Sequence, residues 1–363
     1  MRLLALFALT TAVFAQTAAP KMSTVAGTGK LGFAGDGGPA AQALLNQPFH
    51  CELAGDLLYI AEANNHCIRK VHLPSGKIET VAGNGKKGYT GDGGKATDAT
   101  FNEPYAVVAD ANGDLYIVDR LNAVVRKVDG KSGSVSTIAG NGKKDYAGDG
   151  GKAAEASLRE PNDCILDGQG GLLIADVADW RIRRVDLKTG TISTFAGTGK
   201  AKGKIDRKEI GDGGPAAKAV IVGARAVCVD GQGNTYICER EGNAIRKVDK
   251  AGVITTVAGT GAAGNDDGPA AKATFRGPKA IRCDKDGNVF IVDTENHSIR
   301  KLDVKTGMVT TVAGGKKGAD GDGGDATKAG MDRPHGCVVD ANGVIYIADS
   351  NNHRVRVVGG KQP

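Results

Sequence analysis

A single tryptophan and an aromatic content of 4% across 363 residues exclude a core built on large rings. Val, Ile, Leu and Ala must fill it instead, which suits thin, closely packed layers. Beyond residue 15 no stretch approaches the roughly 20 apolar residues that a membrane-spanning helix needs. Charge of neither sign dominates: 47 Lys and Arg against 41 Asp and Glu give +6, a mild excess that argues against nucleic acid as a partner. No Gly-x-Ser-x-Gly elbow, phosphate loop or dinucleotide fingerprint occurs, so the familiar signatures of hydrolases, kinases and dehydrogenases are missing.

What is present is repetition. Six times an acidic residue is followed seven positions later by an arginine: Glu62/Arg69, Asp119/Arg126, Asp176/Arg183, Glu239/Arg246, Asp293/Arg300 and Asp349/Arg356. Successive arginines are 57, 57, 63, 54 and 56 residues apart (126−69, 183−126, 246−183, 300−246, 356−300), and a period of that size means stacked supersecondary units. The second copy is the plainest: Pro104-Tyr-Ala-Val-Val-Ala-Asp110, Leu115-Tyr-Ile-Val-Asp119, Val124-Val-Arg-Lys-Val-Asp129 and Val135-Ser-Thr-Ile-Ala-Gly140. Short runs rich in Val, Ile and Tyr, bounded by Asn-Gly or Ser-Gly turns, predict a four-stranded antiparallel meander. A glycine-rich stretch such as residues 141–159, with Gly148-Asp-Gly-Gly151 and an alanine-rich turn of helix, leads to the next copy.

Radial closure leaves such sheets few exposed edges, so the chain is predicted to be all-β, a six-bladed β-propeller with four-stranded blades. The sixth copy stops after three strands at Val358, while Ser23-Thr-Val-Ala-Gly27 is an isolated copy of the fourth. The N-terminal strand is therefore expected to complete the last blade. The run Asp349-Ser-Asn-Asn-His-Arg-Val-Arg356, echoed by Glu62-Ala-Asn-Asn-His-Cys-Ile-Arg69 and Asp293-Thr-Glu-Asn-His-Ser-Ile-Arg300, resembles the NHL repeat. The Thr-Val-Ala-Gly and Gly-Asp-Gly-Gly segments between copies are similar to its bacterial variant. The resemblance implies the fold and leaves function open: such propellers are mostly interaction platforms, some bind RNA, and related six-bladed propellers act as lyases or lactonases.

The domain organisation follows. Met1-Arg2, the apolar residues 3–15 and the ending Val13-Phe-Ala15 have the charged start, short hydrophobic stretch and small-residue cleavage site of a secretory signal. Residues 1–15 are thus expected to be a signal peptide, 16–21 a short linker, and 22–359 a single propeller, exported to the periplasm or medium and acting as a monomer.

Groups that recur in every copy are expected to build it. The six acid–arginine pairs flank a tight turn, where the acid can accept backbone N–H bonds and the arginine can return to it. His66, His297 and His353 share one turn position in copies 1, 5 and 6, but equivalent turns diverge from the axis, so a shared ion held by ~2.1 Å bonds is not expected. Asp320-Gly-Asp322-Gly-Gly-Asp325 and Asp284-Lys-Asp286-Gly lack the closing bidentate Glu of a calcium loop, and Lys188-Thr-Gly190 and Lys305-Thr-Gly307 align with hairpin turns. No metal or cofactor is expected. Cys51, Cys67, Cys164, Cys228, Cys238, Cys283 and Cys337 are odd in number and mostly replace Val, Ile or Ala of other copies, so they read as small buried hydrophobes. If a pair forms, Cys51 and Cys337 are the first candidates, because closure makes their blades neighbours.

Positions that differ between copies are free to serve something else. The residue after the strand-opening proline, or its equivalent, is Phe49, Tyr105, Asn162, Arg225, Lys279 and His335 in turn; the next position adds His50 and Asp163, and Trp180 lies in the third copy's turn. All are expected at one mouth of the central channel, together with the glycine-rich loops. Rings, an amide and cations around a shallow mouth fit a recognition surface. The expected function is a non-catalytic platform for a protein, peptide or glycan of the cell envelope. The alternative, a metal-dependent lyase or gluconolactonase-like hydrolase, would draw on Asn162, Asp163, His50 and His335.

Overall fold

The Val- and Ile-rich runs form strands where the repeat predicts them. The computed structural model describes residues 19–199 and 205–360. The expected signal segment 1–15, part of the linker, and the basic run Lys200-Ala-Lys-Gly-Lys204 lie outside the described residues. Blade 1 comprises Pro48–Ala54, Leu57–Glu62, Cys67–His72 and Lys77–Ala82. Blades 2 to 5 repeat this inner-to-outer meander with inner strands Pro104–Ala109, Pro161–Leu166, Ala224–Val229 and Ala280–Cys283. Blade 6 supplies Gly336–Val339, Ile345–Asp349 and Arg354–Val358, and Met22–Ala26 is its outer strand, pairing Met22 with Val358 and Ala26 with Val355. The inner strands of successive blades pack side by side, blade 6 against blade 1 included. The ring is closed by the N-terminal strand.

The glycine-rich loops depart from expectation. They do not stay at the mouth but run along the outer edge of the blade that follows. Gly37 N–H donates to Ile78 O, Ile78 N–H to Gly38 O, and Ala40 N–H to Gly76 O, with the same pattern at Gly93/Val135 and Gly150/Ile192. Gly268–Pro269 is long enough to count as a fifth strand of blade 5. Such an edge would otherwise expose unpaired N–H and C=O groups. The alanine-rich turns, Ala40–Gln42 and its equivalents, are single 3-10 turns whose first alanine is buried.

This placement gives each repeated arginine a second acid. Arg69 Nη2 lies 2.6 Å from Asp36, and Arg126, Arg246, Arg300 and Arg356 lie 2.6–2.7 Å from Asp92, Asp212, Asp267 and Asp322; Arg183 pairs likewise with Asp149. The acid seven residues upstream is nearer the backbone than the arginine: Asp119 accepts Asn102 N–H at 2.7 Å, and Asp176 accepts Arg159 and Glu160 N–H at 2.7 Å. Its ion pair is 3.0 Å at Arg246 and Arg300, and 3.5–3.7 Å at Arg69 and Arg356. Burial pushes Glu62 and Asp119 up to about 7, and Asp176 and Asp349 up to about 6. Each arginine, wholly buried, therefore bolts the preceding loop onto its blade.

The recurring histidines have a structural reason too. The residue before each third strand, namely His66, Ala123, Trp180, Asn243, His297 and His353, has φ between 45° and 57°, a left-handed conformation in which His and Asn are enriched. From there Nδ1 of His66, His297 and His353 accepts the N–H of Glu103, Arg333 and Gln47 in the next blade at 3.1–3.2 Å, and Asn243 Oδ1 accepts Gly277 N–H at 2.8 Å. They latch blades together. Burial holds the three imidazoles below their ordinary value, which keeps Nδ1 an acceptor. The folded state thus binds fewer protons than the unfolded one, so a latch contributes fully above the unfolded value of roughly 6.5 and fades as pH falls below it. His297→Ala should lower stability by about 1 kcal/mol at pH 7.5 and less at pH 5, read from urea midpoints.

All seven cysteines are free thiols, and six are buried. The closest approach is Cys228 Sγ to Cys283 Sγ, 3.0 Å across the inner strands of blades 4 and 5, rather than Cys51 with Cys337. Cys228 and Cys283 sit one residue apart in register, which brings their sulfurs together across the blade boundary, whereas Cys51 Sγ turns to Tyr346 O.

Candidate functional site

At the entry of the inner strands of blades 1 to 4 the ladder shifts register, between Pro48 and His50, Pro104 and Ala106, Pro161 and Asp163, and Ala224 and Ala226. The extra residue at each bulge is Phe49, Tyr105, Asn162 or Arg225. A bulge frees that side chain from the strand's alternation. Of the nine candidates, Phe49, Tyr105, Trp180, Arg225, Lys279 and His335 line one cavity of about 380 Å³ at the mouth.

Its floor is an aromatic stack carrying cations. Phe49 and His335 stack at 4.4 Å, and Phe49 meets Tyr105 at 4.8 Å. Arg225 lies over the Tyr105 ring at 4.8 Å and donates to its hydroxyl. Lys279 Nζ donates to His335 Nε2 at 3.0 Å, while His335 Nδ1 donates to Arg333 O at 2.7 Å, so both ring nitrogens are committed. Burial, then Lys279 and Arg225, hold His335 well below its ordinary value. Lys279 is lowered to about 7, by burial first and then by Arg225 and Arg333.

His50, Asn162 and Asp163 do not line this cavity. His50 and Asp163 sit further down the channel, where Arg282 of blade 5 crosses the axis: its guanidinium reaches Asp163 of blade 3 at 3.1 and 3.2 Å and also donates to His50 Nε2 of blade 1, with Glu52 at 3.8 Å. Burial, opposed by Arg282, pushes Glu52 up to about 7, and burial with Arg282 holds His50 well below its ordinary value. This buried network ties blades 1, 3 and 5 together, and Asp163 also accepts Val227 N–H of blade 4 at 3.1 Å. Asn162 Nδ2 donates to Glu160 O at 2.8 Å, and its Oδ1 is buried without a hydrogen-bond partner.

The rim contains residues that sequence reasoning missed. Arg120 pairs with Glu103 at 2.7 Å and, through Nε, with Glu160 at 3.1 Å; Arg240 pairs with Glu241 at 3.1 Å. Arg120 and Arg240 both follow the repeated acid, a position held by Ala63, Val177, Thr294 and Ser350 elsewhere, so the same comparison of copies marks them. Glu52 and Arg282 were equally visible: their strand position is Val108, Ile165, Cys228 and Val338 in other blades. Among the described residues no group of three or more His, Cys, Asp or Glu is placed to hold a metal ion, and no helix is long and apolar enough to cross a membrane.

Comparison with known proteins agrees with this architecture. The Teneurin NHL domain model matches residues 191–263, and the NHL repeat model matches residues 331–358. The chain is 28% identical over 314 residues to Protein SUPPRESSOR OF QUENCHING 1, chloroplastic, of Arabidopsis thaliana, covering 83% of this chain and 29% of that protein. It is 27% identical over 332 residues to NHL repeat-containing protein 2 of Homo sapiens, covering 84% and 45%. The chain therefore spans less than half the length of these curated relatives. Among solved structures, a protein of unknown function from Bacteroides thetaiotaomicron superposes with a TM-score of 0.69 at 19% identity, covering 94% of this chain and 76% of that one. An auxiliary nutrient binding protein from Bacteroides ovatus gives 0.66 at 18%, covering 95% and 78%. With six copies of the repeat closed into one ring, the chain is a six-bladed β-propeller of NHL repeats.

Proposed function

We propose that this propeller is an exported, non-catalytic binding platform that takes a protein, peptide or glycan of the cell envelope at its mouth. One observation carries the reading. The polar groups that recur in the blades are consumed by the fold, whereas the cavity is lined by side chains at positions where the blades disagree. Its aromatic floor offers rigid contact area and its cations offer charge-assisted bonds, the residue types that dominate binding energy. The two histidines a lyase or lactonase would need as acid, base or ligand are engaged instead, His335 at both nitrogens and His50 by Arg282. Export rests on the signal-like residues 1–15; N-terminal sequencing of protein recovered from periplasm or medium should read Gln16, and an intact Met1 would contradict it.

Trp180 lines the cavity and is the chain's sole tryptophan, so its emission reports the site. Titration with a panel of oligosaccharides and short peptides should give a saturable change for at least one, weakened by ~1–3 kcal/mol in Tyr105→Ala. A compound that binds without altering Trp180 emission, and equally well to Phe49→Ala and Tyr105→Ala, would place the site elsewhere. Turnover of a gluconolactone that His335→Ala abolishes would favour the hydrolase instead.

A further inference from the structure

Among the described residues around the mouth, cations are matched to acids with one exception. Arg120 has Glu103 and Glu160, Arg240 has Glu241, and Arg333 has Glu295 at 2.7 Å. Lys279 shares Glu295 at 3.6 Å. Arg225 has none among the described residues: it is 6% exposed, its contacts are the ring and hydroxyl of Tyr105, and its Nε has no hydrogen-bond partner. A buried guanidinium without a carboxylate is costly unless something else neutralises it.

Resting on the mouth being a binding site, we propose that Arg225 and Lys279 form a recess for one carboxylate group, carried by a ligand whose flat apolar face lies against Phe49 and Tyr105. A carboxylate between the two cations would complete Arg225's fork of donors and relieve its repulsion of Lys279. The surrounding Glu103, Glu160, Glu241 and Glu295 select a monoanion, because they oppose the second charge of a phosphate, and they accept from hydroxyl or amide donors on the ligand's body. Two sources present this chemistry, a uronic acid of a glycan and the C-terminus of a peptide.

Lys279 is faced by His335, Glu295, Arg225, Arg240 and Arg333. Burial first, and then Arg225 and Arg333, bring the Lys279 value down to about 7. The cation is present below that value and lost above it, so affinity for a carboxylate should fall as pH rises through it.

Calorimetry on the whole protein tests this with sodium glucuronate and N-acetyl-phenylalanine, their neutral counterparts glucose and N-acetyl-phenylalaninamide, and inorganic phosphate. At least one carboxylate should bind about tenfold or more tightly than its neutral counterpart. Glucuronate binding identifies the sugar source and N-acetyl-phenylalanine the peptide source. Arg225→Gln should weaken it by a further ~10–100-fold, and Lys279→Arg should keep binding while flattening the pH profile. Equal affinity for neutral counterparts, or tighter binding of phosphate, would overturn the carboxylate recess and leave the platform standing. Failure of both carboxylates up to about 10 mM, where binding free energy is already small, would also overturn it. Carboxylate binding unchanged in both variants, with Trp180 emission silent, would remove the mouth as the site and sink both readings.

Discussion

Deletion of Met22–Ala26 should leave no folded monomer. The strand belongs to two interfaces at once: Met22 packs in the apolar cluster between blades 5 and 6, while Val25 and Ala26 pack in the cluster between blades 6 and 1. Burying Met22 and Val25 contributes ~1.5–3 kcal/mol each, and the ladder to Arg354–Val358 adds about 1 kcal/mol per hydrogen bond. The loss is on the order of the 5–15 kcal/mol that keeps a domain folded. Circular dichroism and urea unfolding should show no cooperative transition, and a peptide spanning residues 20–27 should restore one by binding only the native ring. A deletion variant with the parent's midpoint would refute closure by this strand.

Arg300→Ala should be the most damaging single substitution in blade 5. Arg300 donates to Asp267 at 2.6 Å, Asp293 at 3.0 Å, Asn265 at 3.1 Å and the carbonyl of Asp266 at 2.8 Å, and its guanidinium lies over the Phe275 ring at 5.5 Å. Removing it strands Asp293, which is wholly buried, and releases the loop that covers the blade's outer edge. Breaking a buried pair from one side costs ~3–5 kcal/mol. Asp267→Ala should cost less, ~1–2 kcal/mol, because Arg300 keeps Asp293 and the carbonyls. Chemical denaturation of both variants checks the ranking; equal losses would mean that the loop carboxylate, not the buried one, is the principal anchor.

The blades were legible because each is a local object. Strand runs, hairpin turns and the seven-residue acid–arginine spacing all fall within one copy, and the isolated fourth strand announced the closure. The arginine's nearer partner was hidden by distance along the chain, although Asp36/Arg69, Asp92/Arg126 and Asp149/Arg183 recur at separations of 33 or 34 residues and could have been read as a second repeat. The connectivity alone brings the loops to the face where each inner strand begins, and so to the mouth. The role of their glycines is conformational: Gly37 holds φ at 80°, a region side-chain-bearing residues rarely adopt, and so aims its N–H at Ile78 O while Gly38 O accepts Ile78 N–H.

The site was legible as a set of odd positions, not as a geometry. Phe49, Tyr105, Arg225, Lys279 and His335 stood out because no two copies agree there. Which of them touch depends on closure: Arg225 meets Tyr105 from two blades away, and Arg282 reaches His50 and Asp163 across the axis. Position along the strand separated the two groups. Phe49, Tyr105, Arg225, Lys279 and His335, at the strand entry, face the cavity, and the residues one step further along, His50 and Asp163, join the channel network.

The central claim is that side chains shared by all blades make the ring while those that differ at the mouth serve a ligand at some cost to it. The unfolding midpoint of Arg225→Met, set beside that of Arg300→Ala, tests this most directly. Replacing a buried guanidinium that lacks a carboxylate with an apolar side chain of similar reach should leave the midpoint equal to the parent's or raise it. A fall as large as that of Arg300→Ala would show that Arg225 is another bolt of the fold, and would contradict the assignment of the mouth to binding.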